Sequence, residues 1–383
     1  MIHRPFWLQT IEEAWDRHPI VWLSGVRRVG KTVLATMMPH AVYLSCELPS
    51  ARRRLADPES FYASLNPGDT AVLDEVHRLT DPSSVLKIAA DAFAGLRILA
   101  TGSSTLAATR KFRDALTGRR STIYLPPVLW QETRSEFGIR DLDRRLLHGG
   151  LPEPLLQRTK DPAFFAEWMD SYYARDVSEL FGVRNRTGFL CLLHLLLIQS
   201  GGILDVAKLA SECGMSRPTV NAHLEAMMVS HTVYAVRPYH GGGRREIVRA
   251  PKLYAFDTGF VTFARGWDSI RPEDRGVLWE HLVLDTLRAG CPHVEVRYWR
   301  DKTGREVDFV VPAGRATVDA IECKITPDRY DAGNLLRFRA LYPHGRNWLA
   351  CPFEDEAWER RFDDVRITIA SPARIAAALR TAL

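Results

Sequence analysis

The nine residues from Ser24 to Thr32, SGVRRVGKT, decide how this chain folds. They match the pattern G-x-x-x-x-G-K-[ST] at every fixed position and follow the apolar run Ile20–Leu23. A strand that ends in such a glycine-rich turn and opens a helix presents successive backbone N–H groups to a polyphosphate. In that geometry Lys31 brings positive charge to the β and γ phosphates, and the Thr32 hydroxyl ligates Mg²⁺. The stretch therefore predicts a site for ATP with Mg²⁺.

A second motif, Thr70–Glu75, is an apolar strand pattern that ends in two carboxylates. The two acids have different tasks behind a phosphate-binding loop. We expect Asp74 to hold the magnesium through water, and Glu75 to accept a proton from, or to orient, the water that attacks the γ-phosphate. The motif predicts that the protein is an ATP hydrolase.

Strand and helix patterns alternate around both motifs as far as Leu125. This alternation predicts an α/β fold in which a parallel sheet carries helices on both faces and binds its ligand at the carboxyl ends of the strands. One such strand ends at Thr101–Ser104, where a polar side chain can sense the γ-phosphate. Ser103 is the predicted sensor and Thr101 is the alternative. The residues predicted to line the nucleotide site are Gly25, Val29, Gly30, Lys31, Thr32, Val33, Asp74 and Ser103.

Composition limits the class of protein. With 383 residues, 46% hydrophobic and 25% charged, the chain is typical of a soluble globular protein with two or three cores. The net charge of +5 permits nucleic-acid binding without demanding it. The first residues lack a signal-peptide core and the apolar run Phe189–Ile198 is too short to span a bilayer, so we expect a cytoplasmic protein without membrane contact. The six cysteines form no C-x-x-C pair, so no disulfide framework or zinc site is expected.

The loop, the Asp74–Glu75 strand and the alternating elements together resemble those of AAA+ ATPases. In these proteins an arginine just before the fifth strand, here Ser121–Leu125, reaches the nucleotide site of a neighbouring subunit. The resemblance implies this role for Arg119, with Arg120 as a competitor. An arginine supplied in trans stabilises charge on the γ-phosphate only within an assembly. The resemblance therefore implies a homo-oligomer, with a hexameric ring favoured.

Over nearly its whole length the chain resembles a prokaryotic family of uncharacterised AAA+ proteins with a C-terminal domain of unknown function. Gly149–Pro152 followed by Tyr172–Asp176 carries this resemblance. It implies an ATPase core over residues 1–126 and a small helical lid over residues 127–187. An arginine from such a lid often contacts nucleotide, and Arg175 is available for that contact.

Residues 188–256 carry the pattern of a winged helix-turn-helix. Within Leu204–Leu224, Gly214 supplies the turn and Ser216 caps the second helix. The glycine-rich loop His240–Arg245 has the form of a wing. The residues predicted to contact DNA from the outward helix face and the wing are Arg217, Asn221, His223, Arg244 and Arg245. Winged helices also serve as protein-contact modules, so the pattern favours DNA but leaves a protein partner open.

Residues 257–383 resemble the PD-(D/E)xK core of restriction endonucleases, an α/β nuclease-like domain. Glu280 lies in a helical pattern, and strand alternation puts Glu322 and Lys324 on one face. The resemblance implies that Asp308 and Glu322 share Mg²⁺. It further implies that Lys324 polarises the attacking water or the scissile phosphate, with Glu280 in support.

These patterns predict a DNA-stimulated AAA+ ATPase that uses ATP and Mg²⁺, acts on DNA and has a metal-dependent nuclease domain. The alternative is an ATP-switched regulator or scaffold that binds DNA or protein and cuts nothing. Turnover stimulated by DNA would favour the first function. Turnover stimulated by a partner, without DNA affinity, would favour the second.

Overall fold

The computed structural model describes residues 2–93, 95–102, 110–178, 181–241, 249–314, 317–353 and 355–381. The predicted sensor Ser103 and the predicted wing residues Arg244 and Arg245 lie outside these ranges. The described chain forms two compact units. The first contains Met1–Pro126, Asp170–Arg184 and Val229–Thr232, and the second contains Pro127–Met169, Asn185–Met228 and Val233–Leu383.

This division differs from the predicted succession of four domains. The predicted lid, residues 127–187, is divided between the two units, because its first part belongs to the second unit and residues 170–184 belong to the first. The predicted winged-helix segment is also not separate, since its strand Val233–Pro238 pairs with Arg297–Arg300. Sequence patterns indicate strands and helices one at a time, whereas these boundaries depend on which distant elements pair.

The first unit is built on a five-stranded parallel sheet, as the alternating pattern predicts. Its strands are β1 (Ile20–Ser24), β2 (Ala41–Ser45), β3 (Thr70–Asp74), β4 (Arg97–Thr101) and β5 (Arg120–Tyr124). Their order in space is β2-β3-β4-β1-β5, and each neighbouring pair is parallel. Every residue of the interior strand β1 is buried, which is expected of a parallel sheet covered on both faces.

Helices cover this sheet. Those described in the first unit are α1 (Pro5–Trp15), α2 (Lys31–Ala35), α3 (Pro49–Arg54), α4 (Pro58–Ala63), α5 (Pro82–Ala92), α6 (Arg110–Leu116) and the π-helix Tyr173–Ser178. In the core, the ring of Trp22 on β1 meets that of Phe112 on α6 edge-on, with centroids 4.9 Å apart. The indole of Trp15 on α1 donates a hydrogen bond to the carbonyl of Ile98, at 3.0 Å.

The register of the strands gathers the predicted chemistry at one edge. Leu23 at the end of β1 lies opposite Thr101 at the end of β4, and Asp74 closes β3 opposite Ser45. Strand β5 begins at Arg120, one residue before the predicted start. The phosphate-binding loop, the acidic strand end and the alternative sensor Thr101 therefore meet at the carboxyl edge of the sheet.

The second unit contains a mixed sheet. Its strands are β6 (Val233–Pro238), β7 (Lys252–Ala255), β8 (Arg297–Arg300), β9 (Glu306–Pro312), β10 (Val318–Cys323), β11 (Asn347–Ala350), β12 (Trp358–Phe362) and β13 (Val365–Ala370). Their spatial order is β12-β13-β11-β10-β9-β8-β6-β7. Within the described ranges, no helix of either unit combines the length and the apolar character needed to cross a bilayer.

The helices described in the second unit, with α10 running on into the first, are α7 (Trp130–Ser135), α8 (Leu142–His148), α9 (Pro152–Leu156), α10 (Pro162–Tyr172), α11 (Arg186–Ile198), α12 (Val206–Glu212), α13 (Arg217–Val229), α14 (Thr258–Ala264), α15 (Arg275–Gly290), α16 (Gly333–Leu341) and α17 (Pro372–Arg380). The two helices of the predicted helix-turn-helix are α12 and α13. Gly214 between them has a φ of 61°, and the Ser216 hydroxyl accepts a hydrogen bond from the Thr219 amide at 3.2 Å.

One predicted DNA contact on α13 is wrong. His223 is buried at 6% exposure, with its ring edge-on to that of Phe189 at 5.4 Å, so it packs inside the unit. Arg217 and Asn221 are exposed. The predicted outward face therefore retains these two residues and loses the histidine, whose position on the helix is that of an inward-facing residue beside Leu224.

Candidate nucleotide site and acidic cluster

The backbone of the loop after β1 requires glycine at two positions. Gly25 has a φ of 152°, and a Cβ there would lie 2.5 Å from the carbonyl oxygen of Leu125. Gly30 has a φ of 99° and precedes α2. Any larger residue at either position would strain or displace the backbone. Of the predicted lining residues between and after them, Val29 is fully buried and Val33 is 46% exposed.

The ammonium group of Lys31 lies inside the curve of this loop. Its Nζ donates hydrogen bonds to the carbonyl oxygens of Gly25 and Val26, at 2.8 and 2.9 Å. Burial lowers the pKa of Lys31, and the nearby carboxylates of Glu75 and Asp176 oppose that shift. The loop thus holds a cation in the position that a phosphate-binding lysine requires.

Three hydroxyl groups surround the carboxylate of Asp74. Thr32 donates to its Oδ2 at 2.9 Å, Tyr43 donates to the same oxygen at 2.7 Å, and Thr101 donates to Oδ1. Thr32 and Asp74, the two predicted magnesium ligands, are therefore in direct contact. Hydroxyl and carboxylate oxygens are the donors that Mg²⁺ prefers, so this pair fits the ion.

Glu75 is placed by an unusual backbone conformation. It has a φ of 57° and a ψ of 46°, a left-handed conformation that is uncommon outside glycine and turns the chain sharply after β3. Its amide donates to the Thr101 hydroxyl at 3.0 Å, and its Oε2 lies 3.1 Å from Nδ1 of His77. Burial raises the pKa of Glu75, but the hydrogen bond from His77 and the charge of Lys31 outweigh it and lower that pKa overall. The carboxylate is therefore ionised at neutral pH.

Several residues near the site are not among the predicted nucleotide-lining residues. Tyr43 binds Asp74 from the neighbouring strand, and His231 lies 3.1 Å from the Ser24 hydroxyl through its Nε2. Asp176 lies 3.5 Å from Arg27 of the loop, whereas its neighbour Arg175, the lid arginine that the resemblance favours, is exposed. Strand register could have suggested Tyr43, because β2 runs beside β3. Nothing local identifies His231, and the motif that contains Asp176 indicates its neighbour Arg175 instead.

Arg119 is engaged within its own chain. Its Nε lies 2.5 Å from Oδ1 of Asp91, and its Nη2 donates to Oδ2 at 3.1 Å. This two-pronged ion pair holds the guanidinium at the surface next to the start of β5. A role in a neighbouring subunit would require Arg119 to exchange Asp91 for another anion.

A second acidic cluster lies in the second unit, on β9, β10 and α15. Asp308 on β9 accepts a hydrogen bond from the Cys323 amide at 2.8 Å, and Glu322 on β10 is buried at 4% exposure. Glu280 on α15 accepts a hydrogen bond from the Tyr254 hydroxyl at 2.7 Å. Among the described residues there is no group of three or more His, Cys, Asp or Glu side chains arranged to hold a metal ion.

A lysine that the sequence patterns do not single out lies in this cluster. Lys252 on β7 is almost fully buried, pairs with Glu306 and lies 3.8 Å from Oε2 of Glu280. Arg300 also donates to Glu306, at 3.2 Å. Lys252 therefore places a cation other than the predicted Lys324 next to Glu280 and links it to Glu306.

Burial controls the acids of this cluster. Burial and the charge of Asp308 together raise the pKa of Glu280 to about 8, while Lys252 opposes the shift. Burial, followed by the charge of Asp308, also raises the pKa of Glu322 well above its ordinary value. Burial alone would lower the pKa of Lys324, but Asp308 and Glu322 raise it overall. Within the described chain, Oε1 of Glu322 is buried without a hydrogen-bond partner.

The parallel sheet, the loop around Lys31 and the Asp74–Glu75 strand end define the first unit as a P-loop ATPase domain. Residues 17–134 match the AAA domain family, which supports ATP hydrolysis as the activity of this class. Residues 139–271 and 275–367 match two domains of unknown function, DUF8612 and DUF4143. The predicted winged helix and nuclease-like fold therefore remain predictions.

Several proteins are similar to the chain. The uncharacterized protein Rv2008c of Mycobacterium tuberculosis is 28% identical over 319 residues, which span 79% of this chain and 69% of the relative. The uncharacterized protein MJ1544 of Methanocaldococcus jannaschii is 21% identical over 322 residues, or 76% and 71% of the two chains.

Two solved structures are similar to part of the fold. The Walker-type ATPase PABY2304 of Pyrococcus abyssi has a TM-score of 0.42 at 15% identity and covers 69% of this chain and 96% of its own. The Aeropyrum pernix ORC1 protein, solved in complex with DNA, has a TM-score of 0.30 at 12% identity, over 69% and 92% of the two chains.

Proposed function

We propose that the first unit binds ATP with Mg²⁺ and hydrolyses it. The contact between Thr32 and Asp74, with the ionised Glu75 as the next residue, is the observation that carries this proposal. Thr32 and Asp74 would hold the metal, which supplies positive charge to the phosphates when it is bound. Lys31 would exchange its loop carbonyls for phosphate oxygens.

Glu75 is the proposed base for the attacking water. A carboxyl group can accept a proton only while it is ionised. The lowered pKa of Glu75 keeps it ionised at neutral pH. His77 acts through Glu75 by fixing one carboxylate oxygen. The Thr101 hydroxyl is hydrogen-bonded to both Asp74 and the Glu75 amide, so a change at the metal site would alter its hydrogen bonds.

Thr32 offers a direct test with a matched control. Thr32→Val keeps the shape of the side chain but removes the hydroxyl, so Mg²⁺-dependent phosphate release from ATP should fall by at least about 10²-fold. Thr36→Val removes the hydroxyl at the exposed end of α2 and should leave the rate near that of the wild type. Wild-type protein that releases no phosphate with Mg²⁺, or a Thr32→Val rate equal to the wild-type rate, would refute the proposal.

We further propose that DNA stimulates this ATPase and that the active form is a ring, with a hexamer favoured. The exposed Arg217 and Asn221 at the start of α13 support DNA contact, and the position of Arg119 next to β5 supports action across a subunit interface. Phosphate release should rise with single-stranded, duplex or branched DNA, and sizing with ATP should show an assembly. Stimulation by a protein partner without DNA affinity would favour the ATP-switched regulator.

The acidic cluster supports a second candidate activity, metal-dependent cleavage of DNA. The observation behind it is that Asp308 accepts a hydrogen bond from the amide of Cys323, the residue between Glu322 and Lys324, and that one buried oxygen of Glu322 has no hydrogen-bond partner within the described chain. Two carboxylates facing a phosphodiester would repel it unless a divalent ion lay between them. The proposed roles are metal binding for the two acids and polarisation of water or phosphate for Lys324, with Glu280 in support through Lys252.

Cleavage is tested with purified protein, ATP, Mg²⁺ or Mn²⁺, and a panel of linear, single-stranded and branched DNA. Glu322→Gln should abolish cutting and leave ATP hydrolysis unchanged, because the two chemistries use different units. Glu359→Gln removes an exposed carboxylate on β12 and should change neither activity. If no cut depends on Glu322, the cluster is an internal ion-pair network and the second unit serves binding.

A further inference from the structure

The phosphate-binding loop contacts a carboxylate from a segment far along the chain. Oδ2 of Asp176 lies 3.5 Å from Nη1 of Arg27, and the two side chains are 21% and 32% exposed. Arg27 lies between the two glycines of the loop. Asp176 lies in Tyr173–Ser178, within the part of the chain, Asp170–Arg184, that belongs to the first unit. An acidic side chain is therefore placed at a loop that is built for an anion.

The charge of Asp176 reaches both cations of the loop. The ion pair with Arg27 is direct, and the carboxylate also opposes the lowering of the pKa of Lys31, with an influence second to that of Glu75 and ahead of that of Asp74. Burial raises the pKa of Asp176, whereas Arg27 and Lys31 oppose this shift. Asp176 thus interacts with the same two cations, Arg27 and Lys31, that would attract the phosphates of ATP.

The conformation of the segment also sets it apart. Tyr173–Ser178 is a π-helix, a form that is rare in proteins and frequent at functional sites, because it widens one turn and re-aims its side chains. The flanks of the segment are fixed, since Tyr172 is hydrogen-bonded to Ser230 at 2.6 Å and Tyr173 donates to the carbonyl of Val183 at 2.8 Å. These anchors hold the turn so that it presents Asp176 to the loop.

We infer that Arg27 and Asp176 form a nucleotide-responsive pair, in which Arg27 is a phosphate-binding residue that Asp176 holds while no nucleotide is bound. The inference rests on the proposed ATP binding. Polyphosphate carries more negative charge than one carboxylate and would compete with Asp176 for Arg27. Binding would therefore break the pair and release the π-helical turn. Asp176 acts as a brake that raises the ATP concentration needed to fill the site.

The affinity of MgATP for single variants gives the sign of this effect. Calorimetric titration is done in the Glu75→Gln background, so that no hydrolysis intervenes. Asp176→Asn should lower the Kd about three- to tenfold, because it removes the carboxylate that competes for Arg27 and repels the phosphates. Arg27→Gln should raise the Kd about tenfold. Asp176→Glu, which retains the carboxylate, should restore the affinity of the background protein.

A double variant and three controls separate this role from a structural one. In Arg27→Gln/Asp176→Asn the gain from removing Asp176 should shrink, since the competitor and the group it holds are both gone. Asp16→Asn removes an exposed carboxylate at the end of α1, before β1, and should leave the Kd unchanged. Adenosine, which has no phosphate, should bind all variants alike, and raised salt should reduce the effect of Asp176→Asn.

The outcomes distinguish this inference from the proposed function. A background protein that binds no MgATP overturns both. Normal binding with an unchanged or a raised Kd in Asp176→Asn overturns the inference alone. If Asp176→Asn is misfolded by thermal unfolding, Arg27→Gln decides, because a normal Kd in that variant removes Arg27 from phosphate binding and with it the inference.

Discussion

The nucleotide site and the acidic cluster each bring carboxylates close to a lysine, but they treat the charge in opposite ways. At the first site three hydroxyl groups donate to Asp74, and His77 and Lys31 lower the pKa of Glu75. In the cluster, burial raises the pKa of both Glu280 and Glu322. The surroundings therefore favour the ionised form of Glu75 at the first site and the protonated forms of Glu280 and Glu322 in the cluster.

The hydrogen-bond donors and charges around a carboxylate, rather than the residue type, therefore determine its protonation state and the chemistry open to it. Fixed hydroxyl and imidazole groups compensate the first site before any cation arrives, which prepares it for a metal and a proton transfer. In the cluster, burial favours the protonated acids, so binding of a divalent cation must displace protons. The first site is ready for catalysis at neutral pH, whereas the second depends on a cation for its ionised state.

The substitution for which we expect the greatest loss of activity tests whether Glu75 is the base at the nucleotide site. Glu75→Gln should keep MgATP binding and lower kcat by up to about 10⁴-fold, because only proton acceptance is lost. Lys31→Ala should instead abolish tight binding, since the phosphates lose their main cation. Phosphate release measured beside the binding of a fluorescent ATP analogue separates the two losses. Near-normal turnover in Glu75→Gln would assign the base to another residue. The ionised state of Glu75 would then not distinguish the function of the nucleotide site from that of the acidic cluster.

A second substitution tests whether the nucleotide site needs an arginine from a neighbouring subunit. Arg119→Ala should lower ATP turnover about 10³-fold if the guanidinium acts on a neighbour's nucleotide. Mixing Arg119→Ala with Lys31→Ala protein should then restore some activity, since mixed interfaces can pair an intact loop with an intact arginine. Asp91→Ala is the matched control, because it breaks the pair with Arg119 but leaves the arginine available. A monomer with ATP and full activity in Arg119→Ala would contradict the role.

The sequence predicts the first unit far better than the second, for a local reason. The loop, the acidic strand end and the alternation of strands and helices are short-range patterns, and the parallel sheet is built from them. The division into units depends on distant pairings, such as Arg237 with Arg297, that no local pattern encodes. The units change after Pro126 and after Arg184, next to the boundaries predicted at residues 126 and 187, whereas the boundary predicted at residue 256 falls inside the second unit.

The same limit applies to single residues. His223 lies at the edge between the inward and outward faces of α13, so helical periodicity alone does not assign its side. Its ring packs against Phe189, which places it inside the unit. Asp176 and Lys252 reach their sites from other parts of the chain, so a motif search around the loop or the E-x-K pattern passes over them. What could be predicted is the chemistry of each motif. What could not be predicted is which distant charge the fold adds to it.

A smaller effect tests whether the second unit recruits DNA. Replacing Arg217 by Ala should weaken duplex DNA binding about tenfold and reduce its dependence on salt, because a phosphate contact and its counterion release are lost. Asn221→Ala should weaken binding less and leave the salt dependence unchanged, since an amide carries no charge. Lys208→Ala, on the exposed face of α12, is the control for general charge loss. Unchanged DNA binding in Arg217→Ala would favour a protein partner for α13.

The smallest effect sharpens the contrast between the two sites with one substitution made at each. The pKa of Glu280 is raised from 4.5 to about 8, so between these pH values the folded protein keeps a proton that the unfolded chain has lost. Stability must therefore fall as pH rises through this window and level off above it.

Glu280→Gln removes that titration while keeping an oxygen for the Tyr254 hydroxyl. In buffer with a chelator, its apparent Tm should decline less between pH 5 and 8 than the wild-type Tm, by several degrees. Glu75→Gln should leave the slope in this window unchanged, because the lowered pKa of Glu75 keeps it ionised in both states there and confines its contribution to acid pH. Mn²⁺ should reverse the wild-type trend by favouring the ionised cluster. Equal slopes for all three proteins would mean that Lys252 and Lys324 already neutralise the cluster, and the two sites would then differ in shape and not in charge.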